Sequence, residues 1–146
     1  MRILIATNNL SIIGGAETYQ RSVIPELIKK GHEVAVLHER PKSSSKETIL
    51  DFGPSIFCFS LFEKPIKECF DIAEKWSPDV VFYQGMTNLE ISEILTKKWP
   101  SFLFAHSSFG TCIDGSKRWR KPLVEICDKA FGINCLFEYY PGAVAV

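Results

Sequence analysis

The stretch Ile12-Ile13-Gly14-Gly15-Ala16-Glu17 constrains this chain more than any other, because it follows an apolar run, Arg2 to Ala6, and opens an amphipathic one. Glycine lacks a Cβ, so paired glycines at a strand-to-helix turn let the backbone come close to a bulky anion. The first N–H groups of a helix have no acceptor within it, and the helix dipole favours negative charge there. Strand, polar loop, paired glycine and helix, in that order, predict a corner that faces phosphate. The glycines have a blander reading too, as relief of crowding where the turn packs.

The pattern beyond the turn is helical. Tyr19, Val23 and Leu27 recur at intervals of four with Ile24 and Ile28 beside them, while Gln20, Arg21, Glu26, Lys29 and Lys30 take the other side. Pro25 removes one backbone donor inside this pattern, so a bend is expected there. Gly31 stands where a left-handed cap ends a helix, and His32 to Leu37 reads as a second strand. Met1 to Leu37 is therefore a βαβ unit with a right-handed crossover.

The punctuation that follows extends the same scheme. Pro41 to Lys46 is a polar, serine-rich surface connection, and Ser55 to Leu61 suits a third strand. Pro65 opens a helix that carries Ile66, Cys69, Phe70, Ala73 and Trp76 at helical spacing up to Ser77-Pro78. Asp79 to Tyr83 is the clearest later strand. Thr87-Asn88-Leu89-Glu90 has capping-box spacing, Ile91, Ile94, Leu95 and Trp99 form the stripe of a third helix, and Ser101 to Ala105 supplies a fifth strand. The expected fold is α/β and Rossmann-like, three layers around a mostly parallel sheet of order 3-2-1-4-5. Residues 1–146 read as one domain, with 107–146 a less regular, cysteine-containing tail.

Composition narrows the class. The chain has 146 residues, 46% of them apolar, and a formal net charge of zero, which suits a domain with a real core and gives nucleic acid no hold as a partner. Ile3 to Ala6 is the longest apolar run near the start, far short of a signal-peptide core or a membrane span. The five cysteines, an odd number, with no secretory signal, imply reduced thiols in a cytoplasmic setting, peripheral contact with the inner membrane face being allowed.

In an open α/β sheet, ligands settle beyond the carboxyl ends of strands where the winding reverses, here between the first and fourth strands. That brings together the loop from Thr7 to Gly15, the turn Gln84-Gly85-Met86-Thr87, and His106-Ser107-Ser108. Asn8, Asn9, Gln84, Gly85, Ser107 and His106 are the candidate substrate contacts, and Gly14, Gly15 and Ala16 the candidate phosphate contacts. Their amides, hydroxyl and imidazole suit a sugar and a phosphate.

Met1-Arg2-Ile3-Leu4-Ile5 with Gly14-Gly15-Ala16-Glu17, then Lys30-Gly31-His32-Glu33-Val34, then Pro78-Asp79-Val80-Val81, then a strand ending in His106, resemble the N-terminal domain of family-four glycosyltransferases of the two-domain GT-B fold. The region of Cys112, Cys127, Gly132, Cys135 and Leu136 is similar to a subset of that family with several cysteines after the histidine. The resemblance implies a hexosyltransferase that moves a sugar from a nucleotide-sugar donor to an acceptor glycan or lipid in cell-surface polysaccharide or glycolipid synthesis, without an essential metal or other cofactor. It implies that Gly14 and Gly15 face the donor diphosphate, that His106 lies near the transferred sugar, and that Glu17 is structural at a helix start. The family's donor-binding domain has no counterpart before Val146, and Pro141 to Val146 departs from the subset's pattern. A truncated, split or frameshifted product with little activity by itself is expected, with self-association or a separate donor-binding chain as partner.

Other readings stay open. A non-catalytic α/β module that binds a nucleotide or phosphate predicts the same sheet and corner, as does an acceptor-side subunit of a split transferase. A dinucleotide site is disfavoured because the loop lacks GxGxxG spacing and only Glu39 offers an acid after the second strand. Cys112, Cys127 and Cys135 with His106 lack the CxxC pairs of structural zinc sites, so no metal is expected. Cys58 and Cys69 read as small hydrophobes on apolar faces, and His32 and His38 as structural or exposed. Lys117, Arg118, Arg120 and Lys121 around Trp119 read as a solvated basic face. Phe57, Phe59, Phe62, Tyr83 and Phe109 read as core before cleft lining.

Overall fold

Alternation along the first strand sets the layers. In the computed structural model, β1 (Arg2–Thr7) is buried from Ile3 onward, and successive side chains of a strand point to opposite faces. Ile3 and Ile5 join Val34, Val36, Ile56, Phe82 and Ile24 on one side. Leu4 and Ala6 join Ala35, Leu37, Phe59, Val81 and Tyr83 on the other, with Cys69, Ala73, Ile91 and Leu95. The structure describes residues 1–11, 15–40, 56–106, 112, 118–119, 125–126, 132 and 135.

The elements run β1, α1 (Gly15–Lys29), β2 (Glu33–His38), β3 (Phe57–Ser60), α2 (Ile66–Trp76), β4 (Val80–Gln84), α3 (Leu89–Lys98) and β5 (Ser101–Leu103). The sheet has the order β3-β2-β1-β4-β5, and each adjacent pair is parallel. This is the order the sequence predicts. Because both faces of the central strands are covered, β1 and β2 read as near-continuous apolar runs. Full burial of Leu4, Ile5, Leu37 or Leu95 contributes about 1.5–3 kcal/mol each.

Helix ends follow local chemistry. At the end of α1, Gly31 has φ 83°, its N–H donates to Ile28 O at 2.8 Å, and His32 N–H donates to Leu27 O at 3.1 Å. These two bonds make a Schellman cap, for which glycine is favoured. The cap of α3 is Asn88, whose side chain accepts from Ile91 N–H at 3.1 Å. The capping-box spacing points one residue earlier, to Thr87, whose hydroxyl is instead held by Glu39 at 2.8 Å. α1 continues through Pro25, which lies exposed on the helix surface.

The chain divides into two compact units, Met1–His106 and Ser107–Val146. The first holds the sheet. In the second, β6 (Arg118–Trp119) and β7 (Glu125–Ile126) form an antiparallel pair, Arg118 opposite Ile126 and Trp119 opposite Glu125. Among the described residues, no helix is long and apolar enough to cross a membrane.

Candidate functional site

The carboxyl ends of β1, β2 and β4 meet where the winding reverses, and a carboxylate ties them together. Glu39 directly follows β2. Its Oε2 accepts from Asn8 Nδ2 at 2.7 Å and from Thr87 Oγ1 at 2.8 Å, and its Oε1 accepts from the N–H groups of Thr87, at 2.8 Å, and Asn88. Four donors thus converge on one acid, two of them backbone amides at the start of α3, where the dipole favours negative charge. Sequence reasoning missed this role; the signal was an acid at a strand's carboxyl end.

Beneath this tie lies a buried polar row. Thr7, fully buried, receives Gln20 Nε2 on its hydroxyl at 2.8 Å and donates to Gln84 O at 3.3 Å. Gln20 Oε1 is buried, with no hydrogen-bond partner among the described residues. Asn9 folds back so that its Oδ1 accepts from Ser11 N–H at 2.8 Å, a local turn that ends the strand. Gly85, bridged to Thr7, has φ 89°, a conformation that favours glycine.

Past β5 the chain reaches the same corner. His106 Nε2–H donates to Gln84 Oε1, its ring lies 5.4 Å from that of Tyr19, and Glu17 acts on it electrostatically. Burial pushes the His106 pKa below the usual imidazole value, with Glu17 pulling it partly back. A depressed pKa means the neutral form predominates near pH 7, so this ring adds no full positive charge to the corner.

The candidate residues therefore fall into two groups. Asn8, Asn9 and Gln84 spend side-chain groups on internal bonds, while Gly15 and Ala16 stand in the first turn of α1. Among the described residues, a Cβ built on Gly15 would meet no atom within 4 Å, and its φ is not left-handed. None of those residues crowds this glycine. Gly14, Ser107, Phe109, Lys117, Arg120, Lys121, Cys127 and the Pro41–Lys46 connection lie outside the described residues.

Three expectations about other side chains divide. Cys69 is buried, with its thiol donating to Ser60 O at 3.5 Å, whereas Cys58 is exposed because β3 is an edge strand. Phe59 and Tyr83 are core, but Phe57 and Phe62 are 46% and 66% exposed. His38 is buried, with Nδ1 2.8 Å from Arg40 O. A separate hollow of about 200 Å³ lies at the opposite end of the sheet, lined by Ile28, His32, Glu33, Val34, Phe57 and Trp76.

No family model matches this chain, and no curated protein matches it. A solved structure described as a protein from the universal stress protein family of Burkholderia pseudomallei aligns with a TM-score of 0.38 and 7% identity, over 70% of this chain and 94% of that one.

The glycosyltransferase resemblance does not hold: no family model and no curated protein supports it, nor the transferase activity and nucleotide-sugar substrate that it implies. The residues that carried the resemblance have structural reasons to be where they are. Gly31 is the left-handed cap of α1. Asp79 exchanges two bonds with Arg2, accepting its N–H at 2.7 Å and donating to its carbonyl at 2.9 Å, which sets the start of β4 against β1. Glu33 pairs with the Arg2 side chain at 3.3 Å. Such boundary residues report a doubly wound sheet, and a fold by itself does not specify a reaction.

Proposed function

We propose that the unit Met1–His106 is a non-catalytic α/β module that binds a small phosphorylated molecule at the carboxyl end of its sheet, between β1 and β4. The observation that carries this reading is that no described residue comes within 4 Å of a Cβ built on Gly15 at the first turn of α1, where a phosphate can approach the amides of Gly15 and Ala16. The strand order favours the same place, because β1 and β4 flank the reversal of winding. Catalysis is not part of the proposal: the polar side chains at this end are tied to one another, and His106 is held by Gln84.

The charge balance bears on the ligand. Glu17 and Glu39 both lie near this corner, with the Glu39 oxygens already taken up by four donors. Attraction then comes from amides and the helix dipole, which suits a single phosphate better than a densely charged polyphosphate.

Gly15→Asp tests this. An acid in the first turn favours the helix by about 0.3–1 kcal/mol yet places negative charge where the ligand would sit. Calorimetric titration with ribose 5-phosphate should show binding to the native protein and at least a tenfold loss in the variant, with stability unchanged or raised. Equal binding by both proteins would refute the site.

A further inference from the structure

We draw no further inference here: the strongest candidate, the hollow of about 200 Å³ at the amino end of the sheet lined by Ile28, His32, Glu33, Val34, Phe57 and Trp76, has its one carboxylate already paired with Arg2, and nothing among the described residues shows what covers Phe57, its exposed ring on the edge strand β3.

Discussion

Glu39 shows how one side chain can join elements far apart in the sequence. It joins Asn8, at the end of β1, to Thr87 and Asn88, at the start of α3. Removing the carboxylate leaves a side-chain amide and two backbone amides without their acceptor. Glu39→Ala is expected to lower stability by about 2 kcal/mol, and Glu39→Gln by less, since one carbonyl oxygen remains. Urea denaturation of the two variants measures the difference. The bonds to Glu39 span 31 to 49 positions, which is why its role was not legible in the sequence: no local pattern pairs an acid after one strand with the cap region of a distant helix. A glycine between strand and helix raises the question of close approach from the sequence alone, and among the described residues nothing lies within 4 Å of a Cβ built on Gly15.

At the scale of elements, period and punctuation carried most of the fold. Alternating strands and helices, with Gly31 closing α1 and Pro65 opening α2, gave the parallel order. The departures have physical causes. β5 covers Ser101–Leu103 and stops short of Ala105, and the cap of α3 moves to Asn88 because Glu39 claims Thr87. The helix ends also yield a paired prediction. Ser77, after α2, sits at φ 56° in the left-handed region, where a Cβ costs about 1–2 kcal/mol. Ser77→Gly should therefore stabilise the protein by about 1 kcal/mol and Gly31→Ala should destabilise it by a similar amount. Thermal or chemical denaturation of both variants should show opposite signs.

For the molecule as a whole, the same fold logic that made the sheet readable made the transferase resemblance misleading. Pro78-Asp79-Val80-Val81 and Lys30-Gly31-His32-Glu33-Val34 mark where strands begin and helices end, and those needs are shared by doubly wound sheets whatever they bind. The features that bear on binding are local: a helix start at Gly15 and a carboxylate clasp at Glu39. The most direct test is a two-dimensional amide NMR titration with ribose 5-phosphate. The account predicts that resonances of Gly15, Ala16, Asn8 and Gly85 move together and saturate. Shifts confined to Ile28, His32, Glu33 and Trp76, around the hollow at the other end of the sheet, or no shifts at all, would contradict it.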